Sequence, residues 1–135
     1  MKVKVTPSKV HGNVKIPASK SMAHRALICA SLSDGTSLVS NVTNSKDIEA
    51  TVGCMKALGA IIKQIDETTY EVTGTNLFKQ EGNITCNANE SGSTLRFLIP
   101  LAACTNAKVK FLGQGRLLQR PMDVYENEFK EQNIE

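Results

Sequence analysis

The stretch GNVKIPASKSMAHRALICASLSDGTSLVSNV, residues 12–42, changes its hydrophobic period twice and so predicts the fold. NVKIP, residues 13–17, alternates apolar and polar side chains, which is typical of a half-exposed strand. From Lys20 to Ser33 the apolar residues recur three and four positions apart, which predicts a helix that stops at Gly35. The buried side of this helix would carry Met22, Ala26, Leu27 and Ala30. TSLVSNV then returns to a strand pattern, so the stretch predicts strand, helix and strand.

The pattern continues on both sides of this stretch. KVKVT, residues 2–6, predicts another half-exposed strand before it. After it, Asn44 or Ser45 predicts the start of a second helix, which Gly59 ends. AIIKQID and YEVTG then predict a hairpin. From residue 12 onward the first part of the chain therefore follows the order strand, helix, strand, helix, strand, strand.

A second stretch resembles the first at an offset of seventy positions. GNITCNANESGSTLRFLIPLAACTNAKVKFLG occupies residues 82–113, and the second helices also match, MKALGAI against FKEQNIE. In this match Asn133 corresponds to Gly59, and both residue types tolerate the left-handed conformation that ends helices. The alternative is that any two strand-helix units look alike. The similarity predicts one βαβαββ unit in residues 12–74 and a second, incomplete unit in residues 82–135.

The predicted fold is therefore an α/β fold of the α+β kind with about one and a half βαβαββ units present. The second unit stops at Glu135, where the first unit continues into its hairpin. From this difference we expect residues 1–135 to be a fragment of a longer protein.

Composition excludes several classes of protein. The chain has 135 residues, and 16 basic against 13 acidic residues give a net charge of only +3, which is too small to indicate a nucleic-acid binder. No apolar run approaches the roughly 20 residues that span a bilayer, and no secretory leader follows Met1, so we expect a cytoplasmic protein. The four cysteines show no CxxC spacing, which favours buried free thiols over a zinc site or disulfides.

PASKSMAHRAL, residues 17–27, places cations at the start of the first helix. Unpaired N–H groups and the positive end of the helix dipole attract anions there. Ser21 and Arg25 share one helix face, so with Lys20 they can converge on a phosphate group. The alternative is a solvated basic helix start. His24 is left out of this prediction because an exposed histidine on a helix flank is the ordinary case.

Two later turns carry similar chemistry. In NESGSTLRF, residues 89–97, the run from Ser91 to Thr94 predicts either an anion-binding nest or a simple helix cap, with Arg96 one turn later. GQGRLLQRPMD, residues 113–123, is a loop with two arginines and without the glycine pattern of dinucleotide sites. Pro100 is expected to kink the intervening helix or to interrupt its hydrogen bonding. Three such turns indicate a substrate that carries phosphate groups.

These motifs resemble the N-terminal part of the 5-enolpyruvylshikimate-3-phosphate (EPSP) synthase family. PASKSMAHRALICASLSDG is similar to the family's P-G-S-K-S-x-x-x-R-A-L segment, ESGSTLRF to N-A/S-G-T-x-x-R, and GRLLQRPMD to R-x-x-x-R-P. The resemblance implies a two-domain enzyme about three times longer than this chain. It implies transfer of the enolpyruvyl (carboxyvinyl) group of phosphoenolpyruvate to the 5-hydroxyl of shikimate 3-phosphate. This is a step of the shikimate pathway to aromatic amino acids, and phosphate is released.

The resemblance also implies roles for individual residues. Shikimate 3-phosphate would be bound by Lys20, Ser21 and Arg25; phosphoenolpyruvate by Lys20, Gly92 and Arg120; and Arg96 and Ser93 would support the site. It implies no metal and no cofactor, and glyphosate would compete for the phosphoenolpyruvate position. The acid and base groups would lie outside this fragment, so the fragment alone is expected to bind substrate at most. Its partners would be phosphorylated small molecules and the remainder of the enzyme, with no nucleic acid and no membrane.

The chain departs from the family pattern at four positions: Ala18, Lys46, Glu90 and Phe97 replace common glycine, aspartate, asparagine and proline. Glu90 would repel phosphoenolpyruvate unless it turns away or pairs with a cation. A relative of UDP-N-acetylglucosamine enolpyruvyl transferase is one alternative, but that family's Lys-Asn pair and loop cysteine are not found here. A second alternative is a small basic α/β module that binds RNA or another anionic partner and has no enzymatic activity. Aromatic residues make up only 4% of the chain, which argues against an RNA-binding surface that stacks on bases.

Overall fold

A computed structural model describes residues 2–14 and 16–134. These residues form the helices α1 (Lys20–Leu32), α2 (Lys46–Ala57), α3 (Gly92–Ala102) and α4 (Asp123–Glu131). They also form the strands β1 (Thr36–Val39), β2 (Ile61–Gln64), β3 (Tyr70–Thr73), β4 (Glu81–Asn87) and β5 (Asn106–Leu112), with 3₁₀ turns at Leu77–Lys79 and Gly115–Gln119. Within the described ranges, none of the helices has the length and apolar character needed to cross a bilayer.

The strands form two small sheets. β1 and β2 both pair with β3 in antiparallel orientation, in the order β1-β3-β2. Ile62 lies opposite Val72 in this sheet, and both side chains are buried. The β2–β3 hairpin predicted from the sequence is therefore confirmed. β4 and β5 form a separate parallel pair, with α3 as their crossover connection.

Side-chain caps fix where three of the helices begin. The hydroxyl oxygens of Ser19, Ser45 and Ser91 accept hydrogen bonds from backbone N–H groups in the first turns of α1, α2 and α3. These bonds satisfy donors that have no partner inside the helix. The helix starts predicted from serine positions are confirmed for α1 and α2.

The core lies where α1, α2 and α3 pack against each other and against β3. Its largest fully buried apolar side chains are Leu27, Ile48, Met55, Leu58, Leu98, Val42 and Val72. Burial of one such side chain contributes about 1.5–3 kcal/mol to the stability of the folded state. Because this packing brings three helices together, it also brings their N-terminal ends to one region of the molecule.

The exposed face of α1 differs from the prediction. Met22 was expected on the buried stripe but is 63% exposed, and Ala26 is also exposed. Leu27 and Ala30 are buried as predicted, and Ala23, His24 and Ile28 complete the buried side. The apolar pattern of α1 is weak because its small residues fit either side, so the helix is rotated by packing against α2 and α3 and not by its own periodicity.

The described residues within 2–6 and 13–17 form no strand, so the strand predictions there are wrong. Lys15, in the second range, lies outside the described residues. No backbone hydrogen bond ties residues 2–14 to other described residues. The apolar side chains Val3, Val5, Val10, Val14 and Ile16 are between 73% and 92% exposed. A strand needs a neighbouring strand to satisfy its backbone, so alternation alone does not form one.

The predicted repeat is matched in part by the observed elements. The order helix, strand, helix occurs as α1, β1, α2 and again as α3, β5, α4. Gly59 and Asn133 both adopt positive φ, 100° and 53°, which confirms the predicted left-handed helix stops. The division into units at residues 12–74 and 82–135 stays a prediction, and Glu135 lies outside the described residues.

Pro100 lies inside α3, which continues to Ala102. Proline has no N–H, so the carbonyl of Arg96, four residues earlier, loses its usual helical donor. The Tyr125 hydroxyl of α4 donates to that Arg96 oxygen at 3.1 Å. Pro100 therefore interrupts the hydrogen bonding as predicted, and α4 uses the acceptor that becomes available.

Two of the four free cysteines are buried as predicted, Cys54 and Cys86, whereas Cys29 and Cys104 are exposed. The hydrogen bond with Cys86 and burial both raise the pKa of the Cys54 thiol. Cys54 therefore stays protonated near neutral pH and behaves as a small apolar side chain of the core.

Candidate anion-binding site

Lys20 occupies the first position of α1, and the first turn of this helix has no acidic residue. The Lys20 Nζ atom lies 2.6 Å from Oδ2 of Asp47, which belongs to the first turn of α2. A lysine is unfavourable at a helix N-terminus because the dipole there is positive. Asp47 offsets that charge, and both side chains remain partly exposed, so the ammonium group stays accessible to an added anion.

Arg25 and Ser21 lie on one face of α1, as predicted. Arg25 donates from Nη1 to the Ser21 carbonyl oxygen at 2.9 Å. The Arg25 guanidinium also lies over the ring of Phe97 in α3, 4.9 Å from its centroid. A guanidinium has further N–H donors in its plane, so these contacts orient Arg25 without using up its capacity to bind an anion.

Gly92 and Arg120 are in direct contact. Gly92 is buried at the first position of α3, after the capping residue Ser91. The guanidinium Nη1 of Arg120 occupies the space that a Cβ atom on Gly92 would need. Arg120 follows the 3₁₀ turn Gly115–Gln119, so this turn delivers a cation to the N-terminal end of α3. A helix start with a guanidinium over it is suited to bind a carboxylate or phosphate group.

A buried chain of polar side chains, which the sequence pattern did not indicate, connects the three helices. Nδ1 of His24 lies 2.7 Å from Oγ1 of Thr51, which lies 2.7 Å from Oγ1 of Thr94. Thr94 in turn donates to Oγ of Ser91 at 2.7 Å. The chain therefore runs from α1 through α2 to the cap of α3. It holds the two predicted phosphate-binding turns in a fixed relation through hydrogen bonds that are shielded from water.

His24 is 1% exposed, so the expectation of an exposed histidine on the helix flank is wrong. Among the described residues its Nε2 atom is buried without a hydrogen-bond partner. Burial lowers the pKa of His24 below 6.5; Lys20 and Arg25 lower it further, and Asp47 opposes them. The imidazole is therefore neutral near pH 7. The sequence signal was present, because His24 is three residues before Leu27 on the side of α1 that the structure buries.

The burial of His24 should make the free energy of unfolding depend on pH. Since the unfolded chain binds a proton at His24 more readily than the folded chain, the contribution of His24 is fully present above about pH 7. This contribution of His24 to the free energy of unfolding is lost as the pH falls from about 6.5 toward the lower pKa of His24 in the folded state. Urea unfolding of His24→Asn at several pH values should show a weaker fall across this range than the wild type.

His11 provides the matched control, because it is the other histidine of the chain and is exposed. The His11→Asn variant should keep the pH profile of the wild type. A His24→Asn profile parallel to that of the wild type would show that His24 is not responsible.

The remaining predicted residues lie at the edge of these contacts. Ser93 and Arg96 are exposed on α3, and Arg96 is engaged through its backbone oxygen. The Glu90 carboxylate occupies the space next to Gly115 that a Cβ atom would fill, and Gly115 has φ of 58°. Glu90 therefore packs on the 3₁₀ turn that precedes Arg120.

The chemistry of these residues is that of anion binding. In the part of the chain that the structure describes, no group of three or more His, Cys, Asp or Glu side chains is arranged to hold a metal ion. His24, the histidine near the cations, is buried against Thr51 and has almost no surface exposed to solvent. The residues predicted to bind substrate thus lie in two clusters: Lys20, Ser21 and Arg25 on α1, and Gly92 with Arg120 at α3.

Comparison with known proteins gives a consistent result. The EPSP synthase (3-phosphoshikimate 1-carboxyvinyltransferase) family model matches residues 4–135. The chain is 51% identical over 133 residues to 3-phosphoshikimate 1-carboxyvinyltransferase of Clostridium perfringens, covering 98% of this chain and 31% of that protein. It is 49% identical over 132 residues to the protein of that name from Clostridium kluyveri, covering 98% of this chain and 30% of the relative.

The fold is also similar to a solved structure, EPSP synthase from Acinetobacter baumannii. The TM-score is 0.80 at 19% sequence identity, over 92% of this chain and 28% of that one. The chain thus spans about a third of the length of the relatives that it matches.

Proposed function

The chain belongs to the EPSP synthase family, and from that membership we propose that it provides substrate-binding residues of a 3-phosphoshikimate 1-carboxyvinyltransferase. The reaction would transfer the carboxyvinyl group of phosphoenolpyruvate to the 5-hydroxyl of shikimate 3-phosphate and release phosphate. We place it in the cytoplasm, in the biosynthesis of aromatic amino acids. Its partners would be these two phosphorylated small molecules.

The observation that carries the proposal is the arrangement of cations at two helix starts. Lys20 and Arg25 lie at the first turns of α1, and Arg120 lies over Gly92 at the start of α3. Each helix start offers backbone N–H groups and a positive dipole, to which the side chains add a full charge. Both substrates carry a phosphate group, and phosphoenolpyruvate also carries a carboxylate.

We assign the first cluster to shikimate 3-phosphate. Arg25 would bind its phosphate through the edge of the guanidinium, the Ser21 hydroxyl would donate to it, and Lys20 would supply a point charge. Asp47 would then share Lys20 with the ligand. Hydrogen bonds of charged groups contribute about 1.5–3 kcal/mol each, so the phosphate should dominate the affinity.

We assign the second cluster to phosphoenolpyruvate. The Arg120 guanidinium would bind one of its anionic groups, and the close approach allowed by Gly92 would bring the ligand to the start of α3. Lys20 would contact both ligands, and Arg96 and Ser93 would support the site from α3. Glu90 packs on Gly115, which is consistent with a carboxylate that turns away from the bound anion.

Turnover would require more than these residues. Enolpyruvyl transfer needs groups that donate and accept protons at the reacting atoms, and a second set of contacts that orients both substrates. We propose that residues corresponding to the other two thirds of the relatives supply them. The 135-residue chain should therefore bind ligands and release no phosphate from a mixture of both substrates.

Calorimetric titration tests the proposal. Shikimate 3-phosphate should bind to the chain saturably with one site, and shikimate, which lacks the phosphate, should bind at least about tenfold more weakly. The Lys20→Met variant should lose most of this difference in affinity. Lys79→Met, which changes an exposed lysine at the 3₁₀ turn Leu77–Lys79, should keep it. Equal affinity for shikimate and its phosphate would contradict the proposal.

A further inference from the structure

The contact between Arg25 and Phe97 joins the two clusters of the site. Arg25 belongs to α1, and Phe97 belongs to α3, five residues after Gly92. The guanidinium carbon lies 4.9 Å from the centroid of the half-buried Phe97 ring and over its face. The face of an aromatic ring is negative, so it attracts the delocalised positive charge of arginine.

Arg25 is held at two places. Its Nη1 donates to the Ser21 carbonyl oxygen at 2.9 Å, and its guanidinium carbon lies over the Phe97 ring. These two contacts restrict the position of the guanidinium, and its remaining N–H donors can form a two-point contact with phosphate. An exposed arginine without such support samples many rotamers, and a ligand must then restrict them on binding.

We propose that Phe97 is a positioning residue for Arg25, and that its ring orients the guanidinium toward the phosphate of shikimate 3-phosphate. The inference rests on the proposed function and adds a residue to which that function assigned no role. Phe97 fixes Arg25 from the helix that also carries Gly92.

The test compares Phe97→Leu with Phe97→Tyr in the 135-residue chain. Leucine keeps an apolar side chain but removes the ring, whereas tyrosine keeps the ring. Phe97→Leu should weaken binding of shikimate 3-phosphate by about two- to fivefold, and Phe97→Tyr should bind like the wild type. Phe78→Leu is the matched control, because Phe78 is an exposed phenylalanine at another place in the chain, and it should leave the affinity unchanged.

A second readout reports on the contact without any ligand. The ring current of Phe97 should shift the Nε–H proton of Arg25 upfield in the NMR spectrum. This shift should persist in Phe97→Tyr and disappear in Phe97→Leu. If leucine prevents folding, Phe97→Met replaces it, because the flexible methionine side chain fills a half-buried position without an aromatic ring.

The outcomes separate the inference from the proposed function. Loss of the upfield shift together with weaker binding supports a positioning role. Loss of the shift with unchanged affinity, or a shift that does not depend on residue 97, overturns the inference and leaves the proposed function intact. Failure of the wild-type chain to bind shikimate 3-phosphate overturns both.

Discussion

Replacing Gly92 with alanine should weaken binding of phosphoenolpyruvate by about 10- to 100-fold. The added Cβ atom would overlap Nη1 of Arg120 and come within 3.0 Å of its Cζ. Because the guanidinium is the end of a flexible side chain, Arg120 can move aside, and the variant should fold. The displaced guanidinium would no longer meet the ligand, and loss of one charge-assisted contact costs about 1.5–3 kcal/mol. Calorimetric titration with phosphoenolpyruvate at saturating shikimate 3-phosphate measures the change.

Gly53→Ala is the control for this variant. Gly53 lies inside α2, and a Cβ atom there meets no other atom within 4 Å. Its affinity for phosphoenolpyruvate should equal that of the wild type, and its free energy of unfolding should rise by about 0.5–1 kcal/mol, because alanine favours the helix. Wild-type affinity in Gly92→Ala would show that Arg120 is not placed for this ligand.

Replacing Gly74 with alanine should lower the free energy of unfolding by about 3 kcal/mol, which is a large share of the ~5–15 kcal/mol typical of a domain. A Cβ atom on Gly74 would overlap the Ser33 carbonyl oxygen and lie 3.2 Å from that of Ala30. These are backbone atoms at the end of α1, so neither can swing away. The segment is also fixed, since Gly74 N–H donates to the Gly35 oxygen at 3.1 Å and Thr75 N–H to the Ser31 oxygen at 2.9 Å.

Urea unfolding measures this loss, again with Gly53→Ala as the control. The two substitutions add the same methyl group, one against backbone and one into open space, and should change stability in opposite directions. A Gly74→Ala variant within about 0.5 kcal/mol of the wild type would contradict the packing of this segment against α1.

Elements with local signals could be predicted from the sequence. Ser45 and Gly59 bound α2 because capping and left-handed stops depend on the nearest few residues. The β2–β3 hairpin is also local. The alternation in residues 2–6 was an equally clear local pattern, yet these residues form no strand, because a strand requires a partner that local sequence does not specify.

The burial of His24 depended on tertiary structure. Its hydrogen-bond partner Thr51 lies on α2, and Thr51 is in turn hydrogen-bonded to Thr94 on α3. His24 is therefore buried with a polar partner only when three segments that are distant in sequence pack together. The spacing of His24 from Leu27 could not decide its burial alone, because α1 is weakly amphipathic and the side with Met22 and Ala26 is also apolar.

In the candidate site, too, some features were visible in the local sequence and others depend on tertiary structure. Motif resemblance pointed to Lys20, Ser21, Arg25, Gly92 and Arg120 as candidate ligand-binding residues. It did not show that Lys20 is paired with Asp47, that Arg120 lies over Gly92, or that the Arg25 guanidinium lies over the Phe97 ring. Each of these contacts joins residues far apart in the chain, so the arrangement of the cations is a property of the fold.

The start of α1 should bind the phosphate of shikimate 3-phosphate, and an NMR titration of the isotope-labelled chain with this ligand can detect that binding residue by residue. We expect saturable amide shifts centred on Ser21 and Arg25, with the side-chain Nε–H of Arg25 among the largest. Shifts spread over the exposed lysines of residues 2–9 and abolished by moderate salt, or no shifts at all in a folded sample, would contradict it.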